Sequence, residues 1–500
     1  MIQKVSDYLE RTAEQFPDKI AVVDKSRSLT FAALQEEARH VATALADKEL
    51  FKKPVVVFME KNAECIASFL GVAYSGNFYT PIATDMPKAR IEKILSVLCP
   101  AVIITDAKHE EEAAAFSGDS NIIVYESAQE AVVDDARIEK IGSRIVDTDV
   151  LYVFFTSGST GTPKGVIIGH RSVIDYTEWV SKTFEIDQTH ILGNQAPLYF
   201  DNSILDIYQM LKTGATLCII PEALFMFPPM LLDYLKEKRI DTIFWVPSAL
   251  CFTANAGVLK EHILPDLRKV LFCGEVMPNK QLNIWRRAFP QVLYANLYGP
   301  TEITDVCAYY IVDRPFGDDE PLPIGFPCKN TDILVLDEND CLVKGNAIGE
   351  LCVRGTCLAY GYYRQPEKTA AAFTQNPLNT AYPETIYRTG DLVRYNERGE
   401  LVYVSRKDFQ IKHMGYRIEL GEIETAVSAL PGVDMNCCLY DMERSMIVLF
   451  YTGEKKKEEI PADLKQNLPT YMVPQRIERL DDMPLNLNGK IDRVELKNKL

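Results

Sequence analysis

The sequence predicts an α/β protein with a large N-terminal domain of two α/β subdomains plus a small β-barrel, followed by a small α+β C-terminal domain. Three observations predict it. Apolar strand-like runs alternate with helical periodicity along the N-terminal part of the chain, which argues for doubly wound sheets buried on both faces. From residue 331 to 404 the composition shifts to short strand-rich segments parted by turn signals such as Glu338-Asn339-Asp340 and Asn396-Glu397-Arg398-Gly399, which suggests a small barrel or meander. The residues from Asp408 onward match the size of one small domain.

Taken in order, residues 4–16 carry a helical pattern and residues 17–24 a short strand. Thr30 can cap the next helix, in which Leu34, Ala38, Val41 and Leu45 recur on one face. Residues 54–59 form an apolar strand, 62–74 a helix ending near Gly76, 87–98 a further helix and 101–105 a strand. A second α/β stretch, 192–327, carries strands at 215–220, 242–246 and 269–273 and helices at 203–213, 230–237 and 279–288. Past Asp408 the pattern is strand, helix at 421–430, strand at 446–451, then a loop and a terminal segment. The charged run 454–459 is expected to be a solvated loop.

The chain has 500 residues, 47% hydrophobic and 25% charged, enough for several cores. A net charge of −16 argues against a nucleic-acid polymer as partner, because backbone phosphates call for a basic face; a small anion in a local pocket stays compatible. Twelve cysteines include no C-x-x-C pair and six histidines no H-x-x-x-H spacing, so neither a zinc site nor a disulfide framework is indicated. A reducing cytoplasm is expected. The charged N-terminus lacks an apolar signal segment, and the most apolar later stretch, 215–232, is broken by Glu222 and three prolines, so no membrane insertion is expected.

The apolar run Tyr152-Val153-Phe154-Phe155 empties into Thr156-Ser157-Gly158-Ser159-Thr160-Gly161-Thr162-Pro163-Lys164-Gly165. Glycines let a backbone approach a ligand and expose N–H groups, hydroxyls donate further bonds, and Lys164 supplies a point charge. Ser/Thr/Gly/Pro clusters are usually plain loops, but so ordered a string favours a phosphate cradle. It is not a Walker A motif: Pro163 stands where the second glycine would be, and Gly161 is not followed by Lys-Ser or Lys-Thr.

Four further strings follow in order: Asn296-Leu297-Tyr298-Gly299-Pro300-Thr301-Glu302, Tyr387-Arg388-Thr389-Gly390-Asp391, Arg406-Lys407-Asp408-Phe409-Gln410-Ile411-Lys412 and Asn488-Gly489-Lys490-Ile491-Asp492-Arg493. Each residue type has its own chemistry. Tyr298 offers a face for a base and Asn296 an amide for a base edge, although a buried tyrosine is more often core. Glu302 can hold a hard cation or sit at a helix N-terminus, and Asp391 can accept two ribose hydroxyls or merely end a turn. Together with the opening loop, these strings resemble the adenylate-forming enzymes, in particular amino-acid-activating adenylation domains, along essentially the whole chain.

The resemblance implies an N-terminal adenylation domain over 1–404, with α/β subdomains at about 1–190 and 191–330 and a β-barrel at about 331–404. A hinge at 405–410 and a mobile C-terminal lid at 411–500 would follow. It implies ATP and Mg²⁺, with Thr156, Ser157, Gly158, Ser159, Thr160, Lys164, Gly274, Glu275, Asn296, Tyr298, Gly299, Asp391 and Arg406 on the nucleotide. Glu302 would hold the metal, Thr301 and Glu302 would assist catalysis, and Lys490 would bridge the substrate carboxylate and the α-phosphate. Asp408 matches the hinge; Ser405 stands where the family usually has glycine. Gly415-Tyr416-Arg417-Ile418-Glu419 would approach a thiol tunnel after rotation.

By the same resemblance Asp201 pairs with a substrate α-ammonium, which separates amino-acid activators from fatty-acyl and aryl-acid relatives. The remaining pocket would comprise Asn202, Leu205, Ser248, Leu271, Cys273, Leu297, Asp305 and Val306. Asn194-Gln195-Ala196-Pro197 through Ile207-Tyr208, and Phe272-Cys273-Gly274-Glu275-Val276, resemble the D-alanine carrier-protein ligases. Asn202 and Asp305 leave room for a polar or basic side chain such as serine or ornithine. No Gly-Gly-x-Ser attachment site is present, so a phosphopantetheinylated carrier protein is expected in trans, docked to a monomer. An acyl-CoA synthetase and a silent nucleotide-binding scaffold remain the alternatives.

Overall fold

Side-chain caps and apolar stripes set the first elements. Thr30 accepts from the Ala33 N–H at 3.2 Å and starts the helix Phe31–Ala46, whose Leu34, Ala38, Val41 and Leu45 are buried. Asn62 caps Ala63–Tyr74 through the Cys65 N–H at 2.9 Å. These helices cross closely: a Cβ on Gly71 would stand 2.5 Å from Val41 Cβ, so the crossing needs a glycine. The computed structural model describes residues 2–158, 161–442, 444–485 and 491–500. They fall into two units, Met1–Thr84 with Leu98–Phe154 and Val166–Ser405, and Asp85–Val97 with Phe155–Gly165 and Arg406–Leu500.

Three sheets belong to the first unit, apart from residues 155–156, 164–165 and 406 at the ends of three strands, which are counted with the second. One runs in the order Asn121–Val124, Val102–Thr105, Pro54–Phe58, Phe78–Ile82, Val150–Thr156 and Lys164–Gly169. The second has nine strands, ordered Phe326–Pro327, Ala308–Ile311, Leu293–Tyr298, Lys269–Phe272, Thr242–Trp245, Ile191–Asn194, Thr216–Ile219, Ile20–Val23 and Ser28–Thr30. Its interior pairings are parallel, whereas Ala308–Ile311, Phe326–Pro327 and Ser28–Thr30 join antiparallel at the edges. The strand interiors are buried on both faces, the burial that continuous apolar runs require. Thr331–Leu336, Gly349–Gly355, Thr385–Tyr395, Phe373–Gln375 and Leu401–Arg406 form a separate five-stranded sheet, four of whose strands pair antiparallel in the order given. The helix expected from residue 230 begins at Pro228, where two prolines occupy a first turn that needs no N–H donors.

In the second unit Val433–Asp441, Met446–Gly453 and Arg476–Arg479 form a three-stranded sheet. The helix Leu420–Ser428 shares a core with it through Ile423, Val427, Leu449 and Tyr451. Gln410–His413 and Tyr416–Glu419 form a hairpin. The stretch expected to be a loop and a terminal segment contains the strand Arg476–Arg479 and the helix Arg493–Lys497. A four-residue strand with one aliphatic side chain, Ile477, carries no periodic signal; the free edge of Met446–Gly453 recruits it by a parallel ladder. Arg90 and Glu422 form a buried ion pair at 2.7 Å within this unit. Among the described residues no helix is long and apolar enough to cross a membrane.

Candidate functional site

Four adjacent parallel strands, Ile191–Asn194, Thr242–Trp245, Lys269–Phe272 and Leu293–Tyr298, end side by side. Phe244 pairs with Asn194, Trp245 with Phe272, and Phe272 with Asn296, so the residues that follow them share one edge of the sheet. Asp201, Ser248, Cys273, Gly274, Glu275 and Gly299 all leave from that edge. It is the edge where ligands sit in open α/β sheets, because the loops and helix N-termini there present unpaired N–H groups.

On one side lie the residues expected to meet a nucleotide. The Tyr298 hydroxyl donates to Asp391 Oδ2, bringing two distant motifs together. The Asp391 N–H is held by Thr389 Oγ1 at 3.0 Å, and the Asn296 amide donates to Pro323 O at 2.8 Å. Glu275 accepts from the Ser248 N–H at 2.8 Å, tying two strand ends. Thr301 and Glu302 form a 3₁₀ turn, Thr301–Ile303, in which Glu302 is fully buried and accepts from the Tyr362 hydroxyl at 2.7 Å. Among the described residues no group of three or more His, Cys, Asp or Glu side chains could hold a metal, so a cation at Glu302 would depend on ligand and water oxygens.

On the other side lie the residues expected around an amino acid. Asp201 caps the helix Asn202–Thr213, which carries Asn202 and Leu205. Leu205, Leu271, Cys273, Leu297, Asp305 and Val306 are all buried. Asp305 accepts from the Tyr176 hydroxyl at 2.6 Å; burial, then the Asp305 charge, push that phenol well above its usual range. Thr304 and Asp305 are consecutive left-handed residues, at φ of 58° and 73°, a strained excursion that turns the Asp305 side chain inward. A Cβ on Gly299 would stand 2.3 Å from Asp305 O, so this excursion needs the glycine. The hydroxyl of Tyr152 and the amide nitrogen of Asn202 are buried with no described partner. Burial, and then the charges of Asp201, Tyr208 and Asp305, raise the Tyr152 phenol.

A polar network underlies this edge. The Lys61 ammonium donates to Gln195 O at 2.9 Å, and Gln195 Oε1 accepts from the Val246 N–H at 3.3 Å. The Asn194 amide donates to Asp206 Oδ2 at 2.8 Å. Burial pushes Lys61 down to about 8 against the pull of Glu222 and Asp206. Burial pushes Asp206 up to about 7 against the Asn194 bond and the Lys61 charge.

Other expected residues belong to the second unit. Ser157 donates to Arg417 O at 2.7 Å, and Lys164 lies 3.7 Å from Glu419, which also accepts from the Gln410 amide at 2.6 Å. The Thr156 hydroxyl is buried with no described partner, and a Cβ on Gly158 would meet Thr162 O at 2.1 Å. Arg406 grips Asp408 in a fork, Nε to Oδ1 at 2.6 Å and Nη2 to Oδ2 at 2.8 Å. Burial alone would raise Asp408, but this fork holds it below its usual value. Ser159, Thr160 and Lys490 lie outside the described residues.

Lys61, Asp206, Tyr152, Tyr176 and Tyr362 were not expected at the site. Tyr152 lies in the apolar run that leads into the Thr156–Gly165 loop, and Asp206 on the helix that Asp201 begins, so both carry a local signal. Nothing local marks Lys61, Tyr176 or Tyr362, which arrive from distant elements.

Comparison with known proteins follows the same outline. The AMP-binding enzyme family matches residues 9–363 and the AMP-binding enzyme C-terminal domain residues 422–490. The chain is 36% identical over 495 residues to a linear gramicidin synthase polypeptide of Brevibacillus parabrevis, covering 97% of this chain but only 9% of that far longer relative. It is 36% identical over 472 residues to an L-proline--[L-prolyl-carrier protein] ligase of Streptomyces coelicolor, covering 88% and 86%. It is 31% identical over 513 residues to a D-alanine--D-alanyl carrier protein ligase of Lacticaseibacillus rhamnosus, covering 99% of each. Holo-PA1221, a solved protein described as containing adenylation and PCP domains, superposes with a TM-score of 0.86 at 24% identity over 100% of this chain and 84% of that one.

Proposed function

We propose, for a chain that belongs to the AMP-binding enzyme family, an ATP-dependent ligase acting in two half-reactions. An amino-acid carboxylate oxygen attacks the α-phosphate of ATP and displaces pyrophosphate. The phosphopantetheine thiol of a separate carrier protein then attacks the acyl carbon, giving a thioester and AMP. One observation supports this reading above the others: the nucleotide-side and amino-acid-side residues meet at the ends of four adjacent strands. An enzyme that joins two substrates needs both in line within one site.

In this reading Asp201 receives the α-ammonium, a charge that needs a partner once desolvated. Asp391 and Tyr298 receive ribose and base, while the buried Thr156 hydroxyl and Lys164 receive phosphate oxygens. Lys490 carries the charge that grows as the acyl phosphate forms. The residues present fit Mg²⁺, which takes one or two carboxylates and completes its shell with phosphate and water; Glu302 would hold it, and bound there it would neutralise triphosphate charge.

D-alanine is the amino acid we propose, because the buried Cys273 and the buried apolar Leu205, Leu271 and Leu297 suit a small side chain. The relative named for D-alanine supports it. A second reading, a small amino acid with a polar or basic side chain, is favoured by the buried Asp305 and the Tyr152 hydroxyl without a described partner.

Pyrophosphate exchange measured over D-alanine, L-alanine, L-proline, serine, ornithine and fatty acids tests the whole reading. Exchange with D-alanine is the expected result, and exchange with ornithine or serine instead would select the second reading. Fatty acids alone would make the chain an acyl-CoA synthetase, and silence throughout would leave a nucleotide-binding scaffold.

A further inference from the structure

Residues 195–201 form an irregular crossing from the strand Ile191–Asn194 to the helix Asn202–Thr213, and Asp201 stands at its far end. Three hydrogen bonds, two of them half-buried and one between buried side chains, frame the crossing. At its start Lys61 holds the Gln195 carbonyl from one side, and the Gln195 side chain holds the Val246 N–H from the other. Just before the crossing, the Asn194 amide donates to Asp206, on the helix that Asp201 begins. The same Val246 leads into Ser248, whose N–H is bound to Glu275.

We propose that Lys61 and Asp206 are positioning residues that set the crossing and its Asp201, and thereby the affinity for the amino acid rather than for ATP. The proposal rests on the amino-acid-activating reading above.

Stability does not account for the pair. Asp206 keeps its proton in the fold up to about 7, whereas the unfolded chain loses it at the ordinary carboxylate value. Its contribution to stability is therefore present in acid and is lost as pH rises through about 7. Lys61 sheds its proton in the fold near 8, far below an unfolded lysine, so its burial weakens the fold below that pH and the penalty lifts only above it. At neutral pH both ionised groups are held at a cost, and uncharged side chains of similar size would suit a purely structural core as well or better. What the two groups supply instead is fixed hydrogen-bond geometry. The charged groups acting on Lys61 are Glu222 and Asp206, and the one acting on Asp206 is Lys61.

The test uses the full chain carrying Lys61→Met, Asp206→Asn, or both. Pyrophosphate exchange is followed with the amino acid the parent activates, with separate KM values for amino acid and ATP across neutral pH, beside thermal melting. The expected result is an amino-acid KM raised by roughly 10²-fold, the size of loss a misplaced group produces. The ATP KM should stay unchanged, the parent's dependence of amino-acid KM on pH around neutrality should disappear, and the double variant should melt no lower than the parent. A double variant with the parent's amino-acid KM and pH profile overturns the proposal. So does one in which both KM values rise alike with an early melt, since that marks a structural role. A parent silent with every amino acid overturns the proposed function itself, and the pair's part in it.

Discussion

Lys490 bears the heaviest demand in the proposed first half-reaction, because a lysine there would face charge that exists only as the acyl phosphate forms. Replacing it with alanine should lower amino-acid-dependent pyrophosphate exchange by about 10²–10³-fold. The same variant should still pass a preformed aminoacyl-adenylate to the carrier thiol, read by thioester formation; loss of both steps would deny it this separate role. Tyr298 and Asp391 each stand out in sequence because each sits in an ordered string. Their mutual bond does not, since ninety-odd residues separate them and no local pattern encodes which hydroxyl meets which carboxylate. Tyr176 illustrates the same limit: its helix shows only an apolar face, and the carboxylate it binds comes from another element.

At the scale of elements, periodicity and caps were enough where a segment is long. Asn62 and Thr30 start the helices that their side chains predict. Short elements escaped, as with Arg476–Arg479, whose existence depends on a neighbour's free edge. The buried Arg90–Glu422 pair is likewise invisible in sequence, because the two residues lie on different helices, Lys88–Leu98 and Leu420–Ser428. Glu422→Ala should destabilise the second unit by about 3–5 kcal/mol, since the Arg90 charge would stay buried without its partner. Calorimetry that resolves a lower-temperature transition would show this, and an unchanged thermogram would refute it.

At the scale of the whole molecule, the proposed cycle separates adenylation from thioester formation, and Asp408 is where the backbone would turn between them. Asp408→Pro locks φ near one value and removes the fork partner of Arg406. Exchange should survive while transfer to the carrier falls steeply, measured on the same preparation; equal loss of both would reject a hinge role. The sequence by itself determined the fold class and many of the longer helices and strands, because burial imposes a periodicity that survives in one dimension. Only the tertiary structure decided that Lys61 and Asp206 underlie the Asp201 crossing and that Asp305 turns inward against Tyr176. Those pairings depend on where chain segments far apart in sequence come to lie, and on backbone strain at Thr304 and Asp305 that only the surrounding packing can hold.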